Sequence, residues 1–445
     1  MGFLSNLFNS EPQMDDRLEE LIGPLKSLLV CSALELPEYR YLDLYHAAAA
    51  RAGDHAKVIE SELMEELTQL LHTGRNQWTV RAIGKANRVP FANGPGSEEF
   101  LPNGCFWVYR SGDNSSAFVI RLLRNRVTGK AHLEAAAPSP ELAEGIINDI
   151  VEASSRNSVY RGKILHLSYS SERRDEYGDV EKQEMLRVLF SPITPVGSAD
   201  IVLSEQHRAL LKRNVIDLAT RRELLKANGV PPKRGVLLHG PPGTGKTYAC
   251  RHLCNEMPEV THIFVTGSSL ANVGAVFSLA RLFQPSVVFV EDADLMFNNR
   301  DVNMNTGILG ELMDQMDGLR VHEAISVVMT TNAIDRMEDA LKDRPGRISQ
   351  CIYMGAPDAD LRARFIRHQL RDYDSGHLDI GTLSAETDGA SQAFIKEWVF
   401  RAVQIGCERL SDEAGAVALQ QTDFSEALSE MRLSEDRSAG KIIGF

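Results

Sequence analysis

The sequence predicts an α/β protein: a parallel sheet covered by helices on both faces, preceded by a helical region and an α+β region. From Gly235 onward the apolar runs GVLLHG, HIFVTG, SVVFVED, ISVVMTTN and QCIYMG alternate with helix-patterned segments. Near-continuous apolar strands with helices between them belong to parallel sheets buried on both faces. Before Pro192 the pattern differs, with shorter strand-like runs and more turn residues.

Residues 13 to about 74 alternate charged and apolar positions at helical spacing, as in MDDRLEELIGPLKSLL and HAKVIESELMEELTQLL, interrupted at Gly23-Pro24. Residues 1–75 are therefore expected to be helical. Residues 76–192 are expected to form an α+β domain for substrate or partner recognition. Its strands are CFWVYR, AFVIRLLR, ILHLSYS and MLRVLF, separated by turn-formers such as ANGPGSEE and RSGDNSS, with an amphipathic helix over Glu141 to Ser155. SPITPVGSAD is rich in Pro, Ser and Gly, and supplies a linker over 193–200.

Composition narrows the function classes. A chain of 445 residues holds roughly two or three domains. A formal net charge of −13 disfavours non-specific nucleic-acid binding, which needs a basic footprint. The six cysteines include no CxxC pair, so neither a disulfide framework nor a zinc knuckle is expected; Cys250 and Cys254, one helical turn apart, read as buried small hydrophobes. No run reaches the ~18 apolar residues of a membrane span. Gly2 is followed by Asn6 where a myristoylation signal needs Ser or Thr, and no basic-led signal peptide opens the chain, so a cytoplasmic protein is expected.

The first apolar strand of the second half runs into GPPGTGKT, Gly240 to Thr247, and a helix-patterned TYACRHLCNEM follows. This is the complete G-x-x-x-x-G-K-[ST] phosphate loop in its strand–loop–helix context. Gly240, Pro241, Pro242, Gly243, Thr244, Gly245, Lys246, Thr247 and Tyr248 are thus candidate nucleotide contacts. The glycines let backbone N–H groups converge on phosphates, Lys246 reaches the β and γ phosphates, and Thr247 offers its hydroxyl to Mg²⁺. About 45 residues on, VVFVEDAD ends a buried strand with Glu291 and Asp292, at a spacing that suits the strand beside the loop. Carboxylates there are costly to desolvate unless a cation is present. Asn332 ends the next apolar strand and can orient a water between the second acid and the γ-phosphate. Arg344 and Arg347 in RPGR suit the charge of a transferring phosphoryl group; the plain alternative is two surface arginines in a turn.

Together GPPGTGKT, VVFVEDAD, TTNAID and DALKDRPGRIS resemble the ATPase module of the AAA family, in the clade with the second region of homology. The resemblance implies a P-loop NTPase of αβα type, with a five-stranded parallel sheet over 201–356 and a helical lid over 357–445. It also implies ATP and Mg²⁺, and a ring, usually a hexamer, with Arg344 and Arg347 reaching into the neighbouring subunit. TDGASQAFIKEWVFRA resembles the clade's lid helix, and Gly389 and Ala390 are expected to contact the nucleotide.

Two departures stand out. The family writes its acid pair Asp-Glu, whereas Glu291 precedes Asp292 here; the reversed order resembles that of the mitochondrial AAA chaperone of the Rieske protein and of some bacterial AAA proteins. By register Glu291 is assigned to Mg²⁺ with Thr247, and Asp292 to the attacking water, with slow hydrolysis expected. The second departure is Asn272-Val273-Gly274, which lacks the aromatic grip of threading relatives; Phe277 and Phe283 nearby have the spacing of core residues. The resulting expectation is an ATP-hydrolysing ring that remodels or chaperones a protein partner. A slow ATP-gated scaffold or switch is the alternative, and a DNA-acting relative fits the acidic chain least.

Overall fold

The computed structural model describes residues 12–73, 81–84, 86–125, 128–170, 173–174, 180–181, 185–198, 200–266, 272–294, 302–320, 322–335, 348–409 and 417–433. The chain divides into two compact units, one of residues 1–161 with 167–191 and one of residues 162–166 with 192–445.

The first unit is built on strands β1 (Val30–Pro37), β2 (Lys57–Glu60), β3 (Arg88–Gly94), β4 (Ser97–Pro102), β5 (Gly104–Arg110), β6 (Ala117–Asn125) and β7 (Lys130–Ala137). A five-stranded antiparallel sheet runs β1-β7-β6-β5-β2, and β3 with β4 forms a separate hairpin. Helices Tyr41–Ala52 and Pro140–Arg156 cover one face through Leu44, Ala48, Ile120, Leu122, Leu133 and Ile147. Met14–Ile22 and Leu67–His72 cover the other through Leu18, Leu70, Phe106 and Val119. Residues 1–75 are therefore not an independent helical region. β1 and β2 arise within them and pair with β7 and β5. In VCSALELP Leu36 packs against one core and Cys31 against the other, each only partly buried, and Val30 and Leu34 stay exposed, so the strand alternation is weak and reads as helical.

The second half of this region holds β8 (Ile164–Ser170), the short β9 (Arg173–Arg174) and β10 (Val180–Glu181), and β11 (Met185–Phe190). ILHLSYS, expected inside the α+β domain, is divided: residues 162–166 belong to the second unit.

In that second unit β12 (Arg234–His239), β13 (Thr261–Val265), β14 (Ser286–Val290), β15 (Ile325–Thr331) and β16 (Gln350–Tyr353) form a parallel sheet in the order β13-β14-β15-β12-β16. Residues 164–166 of β8 add a further parallel strand beside β13, beyond the five strands expected. Every residue of β13, β14 and β15 is buried, as a sheet covered on both faces requires. One correction concerns strand order. β14 is not beside β12; β15 lies between them. The side chain ending β15 is thereby interposed between the phosphate loop and the acids that end β14.

After the sheet, helices Ala359–Gln369, Ile380–Glu386, Gln392–Glu408 and Gln421–Leu433 pack around Trp398, Ile395, Phe424 and Leu383. Asp358, Asp379 and Ser391 cap the first three by accepting from backbone N–H groups of the first turn.

Candidate functional site

The phosphate loop leaves β12 and folds back on itself through glycines that no other residue could replace cheaply. Gly240 has φ +144°, and a Cβ there would stand 2.1 Å from the Met354 carbonyl oxygen. Gly245, at φ +96°, caps helix Lys246–Glu256 in the left-handed region. Thr244 closes the loop internally, its hydroxyl donating to the Pro241 carbonyl at 2.9 Å. Lys246 is buried, and its ammonium donates to the carbonyls of Gly240 and Pro241, each at 2.8 Å. Burial lowers its pKa, while the nearby Asp292 and Asp294 carboxylates work in the opposite direction.

At the end of β14 the backbone changes character. Asp292 has φ +49°, a left-handed conformation that is uncommon outside glycine. The neighbouring strand holds it there: the Asp292 N–H donates to Thr330 Oγ1 at 3.0 Å, and Asn332 Nδ2 donates to Asp292 Oδ1 at 3.3 Å. Asp294 takes a structural part, with Oδ1 accepting from Thr331 Oγ1 at 2.9 Å and from the Asn332 N–H at 3.1 Å. The end of β15 is thus fixed from both sides, and Asn332 is aimed at Asp292.

Glu291 points elsewhere. Burial raises its pKa, the Thr247 hydroxyl opposes that shift, the Asp292 charge adds to it, and Arg251 counters it. Its Oε1 is buried with no hydrogen-bond partner. A buried carboxylate oxygen left without a donor, next to the phosphate-loop hydroxyl, has the chemistry of a hard-cation ligand. Thr247 and Glu291 therefore fit Mg²⁺.

Lys246, Thr247, Asp292 and Asn332 share a cavity of about 730 Å³, lined also by Pro242, Gly243, Gly245, Tyr248 and Thr330, by the segment Asp200–Val202 and by lid residues; Glu291 is not among its lining residues. The lid contact corrects the expected register. Gly389 and Ala390 do not line the cavity: Gly389 turns the chain at φ +77°, and Ala390 is fully buried in the lid core. Gln392 and Ala393 line it instead. Ala393 N–H donates to the Gly243 carbonyl at 3.0 Å, and Gln392 Nε2 donates to the Val202 carbonyl at 3.1 Å. His368 on the first lid helix and Arg371 in the turn after it also line the cavity, Arg371 bound to Asp200 at 2.6 Å. None of these lid and linker residues carries a motif that would have flagged it, and Thr330 reads as an ordinary strand residue.

Arg344 and Arg347 lie outside the described residues. Asn272 caps helix Val273–Leu282 by accepting from the Ala275 N–H at 3.0 Å, and Val273, Phe277 and Phe283 are buried. Among the described residues no helix is long and apolar enough to cross a membrane.

Comparison with known proteins agrees with this geometry. Residues 236–356 match the profile of the ATPase family associated with various cellular activities (AAA). The chain is similar to the ATPase family gene 2 protein of Schizosaccharomyces pombe, 29% identical over 56% of this chain and 32% of that protein. It is also similar to the 26S proteasome regulatory subunit 8 homolog of the same organism, 33% identical over 41% of this chain and 50% of that protein. The proteasome-activating nucleotidase of Methanopyrus kandleri is 28% identical over 66% of this chain and 68% of its own length. The chain thus spans about a third and a half of the two fission-yeast relatives. The profile match, the phosphate loop on β12, and the acids and asparagine at the ends of β14 and β15 identify residues 236–356 as an ATPase domain of the AAA family.

Proposed function

We propose that the protein hydrolyses ATP to ADP and phosphate and uses the cycle to remodel or chaperone a protein partner, as a ring with the nucleotide between subunits. The observation that carries the ATPase reading is the gathering of Lys246, Thr247, Asp292 and Asn332 in one cavity closed by the lid. Backbone N–H groups of Gly243 to Thr247 receive the phosphates, and Lys246 exchanges its loop carbonyls for phosphate oxygens. Thr247 and Glu291 would hold Mg²⁺, which would neutralise phosphate charge. Asp292 takes the proton of the attacking water, and Asn332 positions that carboxylate and the water together. The lid role first expected of Gly389 and Ala390 passes to Gln392 and Ala393.

The protein substrate, the hexameric state, the cytoplasmic location and the Arg344 and Arg347 fingers in trans rest on family likeness. Two of the similar proteins are named for proteasomes, which favours a protein partner over a nucleic acid, as does the net charge of −13. Recognition of that partner is assigned to the first unit, whose sheet is unrelated to the ATPase fold.

A slow, ATP-gated scaffold is the second reading. It is favoured by the left-handed backbone of Asp292 together with the reversed acid order, which place a short side chain where hydrolysis needs reach. Electron microscopy of the full chain with a slowly hydrolysed ATP analogue tests the assembly. Rings are expected, and a monomer under those conditions would contradict both readings.

A further inference from the structure

The lid helix Gln392–Glu408 begins pressed against the phosphate loop. A Cβ on Gly243 would stand 2.8 Å from Ala393 Cβ and 2.9 Å from Ser391 Oγ, so only glycine lets the two meet this closely. Lys396 follows Ala393 by three positions and therefore shares its face. Helical side chains lean toward the helix N-terminus, which here is toward the loop.

The Lys396 ammonium lines the same cavity as Lys246 and Thr247. It lies 3.5 Å from the Tyr248 hydroxyl, 6.0 Å from the Tyr248 ring centroid and 5.5 Å from that of Phe400. Those two half-exposed rings hold a cation on the cavity wall without neutralising it. The other lid charges along the cavity are matched: Arg371 with Asp200 at 2.6 Å, and Glu397 with Arg401 at 3.0 Å. Lys396 makes no ion pair among the described residues.

We propose that Lys396 is a second cation of the nucleotide site, carried by the lid, whose ammonium pairs with the phosphate chain of bound ATP or ADP. Nucleotide charge then adds to the contacts that hold the lid helix against the phosphate loop. The assignment rests on the ATP reading given above. It gives the lid its own charged contact to the nucleotide, beyond the backbone contact of Ala393 with Gly243.

Titration of the full-length protein with adenosine, ADP and a non-hydrolysed ATP analogue tests it, using wild type, Lys396→Met, Lys396→Arg and Lys246→Ala. Loss of one charge-assisted hydrogen bond in Lys396→Met weakens ADP and the analogue by about 10-fold or more, leaves adenosine unchanged, and is largely recovered in Lys396→Arg. The melting temperature without nucleotide stays at the wild-type value, while the rise on adding ADP shrinks. Unchanged ADP and analogue affinity in Lys396→Met, or an equal loss for adenosine, overturns the proposal. The arms also separate the two claims: if Lys246→Ala keeps full nucleotide affinity, the ATP reading fails, whereas loss there with no loss in Lys396→Met removes only the role of Lys396.

Discussion

Asn332 Nδ2 donates to Asp292 Oδ1 at 3.3 Å, across the ends of two adjacent parallel strands. The relationship is possible because β15 lies between β12 and β14, and because Asp292 adopts φ +49°. An aspartate one methylene shorter than glutamate is thereby aimed by a turn of its own backbone. Asp292→Asn is expected to lower kcat by about 100-fold or more, the scale of losing a general base, with ADP affinity retained. Asn332→Ala, which removes only the positioning contact, should lower kcat by less. An unchanged kcat in Asp292→Asn would remove it from the catalytic role.

The phosphate loop depends on Gly240 for steric reasons alone. With φ +144° and the Met354 carbonyl 2.1 Å from the position of a Cβ, Gly240→Ala must move backbone. The expected strain is about 1–3 kcal/mol, read as a lower melting temperature, together with loss of ADP binding. Wild-type affinity in this variant would show that the loop does not need its close approach to the chain after β16.

In the first unit, Arg121 and Glu134 are register partners on β6 and β7 and form a buried ion pair. Glu134 also accepts from the Leu67 N–H at 3.0 Å, and Arg121 donates to the Leu63 carbonyl at 2.6 Å, so the pair ties the sheet to the segment before helix Leu67–His72. Arg121→Ala leaves a buried carboxylate without its counter-charge and should cost about 3–5 kcal/mol in denaturant unfolding. Replacing both residues together, Arg121→Met with Glu134→Leu, should cost less than the single change.

Acid sensitivity has a local source on β13. His262 is buried, its Nε2 has no hydrogen-bond partner, and burial pushes its pKa down to about 4. The folded protein therefore binds this proton less readily than the unfolded chain, whose histidine titrates near 6.5. Stability is fully present above pH ~6.5 and is lost as pH falls toward 4, by on the order of 3 kcal/mol from this group. His262→Leu should flatten unfolding free energy against pH in that window. An unchanged slope would place the sensitivity elsewhere.

Much of this site was legible in the sequence because its chemistry is written in contiguous residues. GPPGTGKT needs a strand before it and a helix after it, and both are patterned locally; VVFVEDAD and VVMTTN are apolar runs that end on polar groups. What was illegible depends on contacts between distant segments. Gly389-Ala390 reads as the nucleotide-facing pair, but Ser391 is the residue that caps the lid helix, and the first turn after it, Gln392 and Ala393, meets the loop. The positive φ of Asp292 is imposed by Thr330 and Asn332 of another strand. β1 and β2 were hidden for a similar reason. Their pairing with β7 and β5 is long-range, and neither VCSALELP nor KVIE alternates apolar and polar residues cleanly.

The ATPase assignment is tested most directly by phosphate release from the full-length protein with Mg²⁺ and ATP, measured beside Lys246→Ala. The geometry predicts release that saturates with ATP and disappears in the variant. Release that persists unchanged in Lys246→Ala, or a wild-type protein that neither binds nor hydrolyses ATP, would contradict it.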